Sequence, residues 1–278
     1  MSLDILVPIH TYPDGNSANL APHCASIALH LDATVHALIL DVEFPNVSSP
    51  LGNMLINVPN ILSGAKSVCR GRGAAVASAM EVEMKAAGLQ MRTTHVESYP
   101  GAVGDFVGKL GRYHDAVIIG IRPDDVTAQV TAEAVLFGSG KATLLVPEDA
   151  QPMPIRHVMI AWDGSREAAR AVADAREFLT RAKRVTILSV NDENELPSNI
   201  IGQQLADHLA RHKISADIAI AIGNGRPVAE TLQDYAHEIG AGLLVMGAFA
   251  HSRVRDFVLG GATSGILRNL RIPALLSH

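Results

Sequence analysis

Leu243-Leu244-Val245-Met246-Gly247-Ala248-Phe249-Ala250-His251-Ser252-Arg253-Val254-Arg255-Asp256-Phe257-Val258-Leu259-Gly260-Gly261-Ala262-Thr263 reads as a strand, a glycine-bounded loop and the opening of a helix. The apolar run stops at Gly247, and Gly260-Gly261 begins a second apolar pattern with helical spacing. A turn of this kind presents backbone N–H groups at a helix N-terminus. The helix dipole favours an anion there, and glycine lets the backbone come close to it. The charge agrees: from Gly247 onward Arg253, Arg255, Arg268 and Arg271 face a single acid, Asp256.

Working outward, the same plan occurs twice. Ile5–Ile9, Val35–Leu40, Gln90–Val96, Ala116–Gly120 and Ala142–Val146 are strand-like runs. They match Val158–Trp162, Val185–Val190, Asp217–Ile222, Leu243–Gly247 and Pro273–Ser277. The first pair is offset by 153 positions (5 and 158) and the fourth by 127 (116 and 243), so the first half holds about 26 extra residues. They fall in Glu43 to Gly73, which is rich in Pro, Asn, Ser and Gly and reads as a long loop with one short helix. Gly71-Arg72-Gly73 leads from it into a helix over Ala74–Ala87. Pro147-Glu148-Asp149-Ala150-Gln151-Pro152-Met153-Pro154 reads as the linker, giving domains at 1–147 and 155–278.

Helical patterns separate the strands. After Ser165, a natural N-cap, Ala168, Ala171, Val172, Ala175, Phe178 and Leu179 fall on one helical face. Pro227 opens another helix with Val228, Leu232, Tyr235 and Ile239 inward and Gly240 at its end. Strands that alternate with helices, and that are apolar almost throughout, belong to parallel sheets covered on both faces. The expected class is α/β, with two tandem doubly wound domains.

Composition bounds the function. The chain has 278 residues, 48% of them hydrophobic and 18% charged, with net charge −5. That supports full cores and argues against nucleic acid as a partner. Two cysteines without a CxxC exclude a disulfide framework and point to a reducing compartment. Neither a leader nor a run of about 20 apolar residues is visible, so the expectation is a cytoplasmic protein with no membrane partner. The twelve histidines form no set with metal-ligand spacing, and His208 and His212 read as solvent-facing. Gly138-Ser139-Gly140-Lys141-Ala142 fails as a phosphate loop because Ala142 stands where Ser or Thr is needed.

On these residues the chain resembles a tandem universal stress protein. The resemblance covers nearly all of both halves. It implies five parallel strands per domain in spatial order 3-2-1-4-5, pairing through strand five into an intramolecular pseudo-dimer, and a homodimer of chains. Nucleotide-binding members carry an Asp after strand one. After strand four they carry two glycines two residues apart, nine further residues, then Gly with Ser or Thr. Asp163 after Ala161-Trp162, Gly247 and Gly260 match; Ala250 and Gly261 depart, with Thr263 two residues on.

The resemblance implies an adenine nucleotide (ATP, ADP or AMP), with Mg accompanying it, in the crevice where the strand order reverses. Asp163 would bond ribose or base, backbone near Val190 would meet the adenine edge, and the loop from Gly247 to Thr263 would hold phosphates. From their place in the loop, and apart from the resemblance, Arg253 or Arg255 would add charge-assisted contacts. The first half lacks the pattern: its first strand ends Ile9-His10-Thr11, and only Phe137-Gly138-Ser139-Gly140 is similar to the helix opening. The implied function is a nucleotide-binding stress-response module without strong turnover. The alternatives are an interaction protein indifferent to nucleotide and, last, a slow ATPase or nucleotidyl transferase.

Overall fold

The computed structural model describes residues 2–44, 58–191, 199–249 and 261–278. Ten strands form one sheet: β1 (Asp4–His10), β2 (Thr34–Val42), β3 (Met91–Ser98), β4 (Ala116–Ile121), β5 (Ala142–Pro147), β6 (His157–Ala161), β7 (Arg184–Asn191), β8 (Asp217–Ile222), β9 (Leu243–Gly247) and β10 (Ala274–Ser277). Their spatial order is β3-β2-β1-β4-β5-β10-β9-β6-β7-β8. Each half therefore has the order 3-2-1-4-5, and every pairing within a half is parallel. The halves join through β5 and β10, which run antiparallel with Leu144 opposite Leu275.

Side-chain alternation explains why both faces are covered. Successive strand residues point to opposite faces. Ile5, Val7 and Ile9 enter one core and Leu6 the other; Val158 and Ile160 enter the first and Met159 the second. One face carries α1 (Leu20–Leu31), α2 (Val58–Ala86), α5 (Arg166–Asp174), α6 (Arg176–Arg181) and α7 (Asn199–Arg211). The other carries α3 (Val103–Gly111), α4 (Val126–Gly138), α8 (Val228–Glu238) and α9 (Ala262–Arg268). Among the described residues no helix is long and apolar enough to cross a membrane.

Where it is described from Val58 onward, the segment read as a long loop is helix. α2 runs for 29 residues from Val58 to Ala86, straight through Gly64, Gly71 and Gly73; positions 45–57 lie outside the described residues. Each glycine costs a helix about 1 kcal/mol, but burial of Val76, Met80 and Met84 against the sheet overrides that. Gly73 has a positive use: a Cβ there would lie 2.7 Å from Ile39 Cγ2, so its absence lets α2 sit close on β2.

Three smaller expectations also change. The helical face after Ser165 is buried as expected but breaks at Ala175 into α5 and α6. Val228 is exposed, because α8 turns Ala229, Leu232 and Ala236 inward. Phe137-Gly138-Ser139-Gly140 closes α4 instead of opening a helix, and Asp125 caps that helix at its true start.

Candidate functional site

In the second half the strand order reverses between β6 and β9, and the crevice lies at their carboxyl ends. β6 ends at Ala161. Trp162 stays attached to the sheet, its N–H donating to Leu188 O at 2.8 Å while its carbonyl accepts from Ser189 Oγ at 2.8 Å. Its indole Nε1–H donates to Ile201 O at 3.1 Å. Asp163 is exposed and its Oδ1 accepts the Ser165 N–H at 2.9 Å. Gly164 takes φ +76° to make this turn. Ser165 Oγ then caps α5 by accepting from Ala168 N at 3.1 Å.

Gly247 ends β9 against this helix start. A Cβ at Gly247 would lie 2.4 Å from Ala168 N and 2.6 Å from Glu167 C. The glycine is thus required by the approach of β9 to α5, whatever ligand the loop holds. Beside it Glu167 is buried. Burial would raise its carboxyl, but the bond from Arg166, its own backbone N–H and the nearby His278 hold it below the usual carboxylate range.

The far side of the loop is tied back. Thr263, in the first turn of α9, is buried, and its Oγ1 accepts the Phe249 N–H at 3.0 Å. Phe249 has φ +55°. Gly261 is the residue preceding α9. Val190 sits half-buried in β7, in register with Ala221. The structure therefore brings Ala161, Trp162, Asp163 and Gly247 together around the start of α5, and joins Thr263 to Phe249. Ala250, His251, Arg253, Arg255 and Gly260 lie outside the described residues.

In the first half the corresponding crevice is filled from within. Glu148, the residue after β5, is fully buried. Its carboxylate accepts from Asn16 Nδ2 and, at 2.7 Å, from the Ser17 N–H ahead of α1. A Cβ on Gly120, at the end of β4, would fall 2.2 Å from Glu148 Oε1. Asn16 is itself fixed to the end of β1: its Oδ1 accepts the His10 N–H at 2.6 Å and its N–H donates to His10 O at 2.9 Å. No local pattern marks Glu148, whose partners are 132 and 131 positions away. It reads as part of a polar, Pro-rich linker.

His10 ends β1 where the second half has Trp162-Asp163. It is buried, and Thr131 Oγ1, which donates to Thr127 O, accepts from His10 Nε2–H at 3.0 Å. Burial pushes this imidazole down to about 4, against the opposing effects of Asp125 and Asn16. Burial, with Arg92 and His114 alongside, pushes His36 to about 4 as well. Because the folded values lie below the unfolded ones, the unfolded chain takes up these protons first. Stability is full above about pH 6.5 and falls as pH drops toward 4, by up to about 3 kcal/mol for His10. Urea midpoints measured between pH 7.5 and 4.5 should show this loss. His10→Gln should flatten it; an equally steep decline in that variant would refute the assignment.

Residues 154–278 match the model of the universal stress protein family. Over 172 residues the chain is 27% identical to Universal stress protein Slr1230 of Synechocystis, covering 58% of this chain and 57% of that relative. It thus spans just over half the length of that curated relative. A universal stress protein from Archaeoglobus fulgidus superposes over 100% of this chain and 96% of its own, with TM-score 0.69 and 16% identity. A structure of unknown function from Pseudomonas aeruginosa PAO1 covers 99% and 92%, with TM-score 0.58 and 15% identity. The two structures share the fold across both halves. Residues 154–278 thus match the universal stress protein family, on a fold that the whole chain shares with a solved universal stress protein.

Proposed function

We propose that the second half binds an adenine nucleotide (ATP, ADP or AMP) in the crevice beyond β6 and β9, and that the protein works as a nucleotide-responsive stress module. The observation that carries this reading is the meeting of an exposed carboxylate, Asp163, with the start of α5 and the end of β9 at the strand-order reversal. A helix start favours phosphate, and a fixed carboxylate suits a ribose hydroxyl. We take residues 1–147 and 155–278 as its two domains. Glu148 already occupies the first domain's crevice, which leaves the second as the binding half.

Among the described residues no cluster of His, Cys, Asp and Glu could hold a metal. Magnesium would therefore arrive with the phosphates. Titration calorimetry with each nucleotide is the test. We expect heat at submillimolar concentration, and binding weaker by about tenfold in Asp163→Ala, the usual loss for a hydrogen bond to a charged group. No heat with any of the three at about 1 mM would end this reading. A second reading, an interaction protein indifferent to nucleotide, is favoured by Ala250 in the loop and by commitment of the Thr263 hydroxyl to Phe249.

A further inference from the structure

A cavity of about 630 Å³ lies between α5–α6 and α7, on the face of the second half's sheet beneath Trp162. Its walls are segregated. Val172, Leu179, Leu205, Leu209 and Ile214 line it and are buried. Arg176, His208 and His212 line it at the end away from Trp162 and Ile201, and are exposed. On α7 Leu205, His208 and Leu209 share one helical face, and His212 follows in the turn just past its end, so the aliphatic floor and the polar end are built side by side.

The space opens to solvent, and its aliphatic walls are poorly served by water. The volume falls within the roughly 300–1,000 Å³ of small-molecule sites. The first half supplies an internal comparison. There the corresponding helices, α1 and α2, close on one another, and Val76, Met80 and Met84 of α2 are 0–3% exposed. Arg176 makes no salt bridge among the described residues, and its Nη2 donates to His212 Nδ1 at 3.2 Å, which holds the guanidinium at the polar end. His208 packs edge-on against His212 with ring centroids 5.0 Å apart.

We propose that this cavity binds a single-chain amphiphile with an anionic head, a free long-chain carboxylate, its alkyl tail along Val172, Leu205 and Leu209 and its head at Arg176 and His212. The cavity meets the crevice at Trp162 and Gly164, while the residues assigned to the tail and the head lie farther along α5, α6 and α7.

The test uses the full chain without nucleotide. cis-Parinaric acid is titrated by fluorescence, palmitate is used to displace it, and sedimentation with phosphatidylglycerol vesicles runs in parallel. We expect one probe per chain at about 1–10 µM, displaced by palmitate. Ala173→Trp, a change at an exposed lining position, fills the cavity and should weaken binding by more than about tenfold with unchanged circular dichroism. Arg176→Gln, which removes the charge at an exposed position, should weaken the acid about fivefold and leave hexadecanol unaffected. Absence of saturable probe binding, equal binding by Ala173→Trp, equal losses of acid and alcohol in Arg176→Gln, or uptake on vesicles alone would overturn the proposal.

Discussion

Gly247→Ala is expected to lower the unfolding free energy by about 3 kcal/mol, at the upper end of the usual range for a single substitution. The new Cβ would meet Ala168 N at 2.4 Å, Glu167 C at 2.6 Å and Glu167 Cβ at 2.9 Å. Two of these are backbone atoms, so no rotamer change relieves the overlap. Nor can the helix withdraw easily. Ser165 caps α5, and Ala168, Ala171 and Val172 anchor it in the core. β9 in turn is held between β6 and β10. Gly71→Ala is the matching control. It lies inside α2 with nothing within 4 Å of its added Cβ, so it should stabilise by about 0.5–1 kcal/mol. Urea unfolding followed by circular dichroism compares the two. A loss below about 1 kcal/mol in Gly247→Ala would show that α5 yields, and that the glycine serves the loop alone.

Gly247 also shows what the chain reveals before folding. Its place at the end of an apolar run is plain in the sequence, and so is every strand: all ten expected runs became strands. Continuous apolar runs bounded by turns carry their own signal where a strand is buried on both faces, as β1, β4 and β9 are, whereas the edge strands β3 and β8 are largely exposed. α2 was hidden by its glycines. Its helicity comes from packing against β2, which is a tertiary effect that local composition opposes. Val228 shows the same limit on a smaller scale, since a shift of one residue decides which side of α8 faces inward. At the site, Asp163 and Ser165 were legible because a strand end, a turn and a cap are local. The reason for Gly247 was not, because the atoms it accommodates lie about 80 positions away in α5. Glu148 was invisible for the same reason.

Glu148→Ala should cost about 3–4 kcal/mol, and most of that cost should depend on the crevice it fills. The carboxylate is fully buried, and both its oxygens accept, one from Asn16 Nδ2 and one from Ser17 N–H. Truncation leaves one buried and one half-buried donor without a partner, the buried one worth about 1–3 kcal/mol, and adds a cavity. Glu148→Gln keeps the volume but turns one acceptor into a donor that faces another donor, so it too should destabilise, by about 1–3 kcal/mol. Gly120 provides the decisive arm. The three atoms nearest its added Cβ are Glu148 Oε1 at 2.2 Å, Asn16 Nδ2 at 3.0 Å and Glu148 Cδ at 3.0 Å, all of them side-chain atoms. Gly120→Ala should therefore damage the wild-type chain severely, and far less once Glu148 is Ala, because the new methyl group then enters vacated space. A double-mutant cycle by urea unfolding should return a coupling above about 1 kcal/mol, with the double variant more stable than the summed losses predict. Simple additivity would mean that Glu148 does not occupy the Gly120 crevice in solution. The first domain would then have an open site at the position where the second is proposed to bind its ligand.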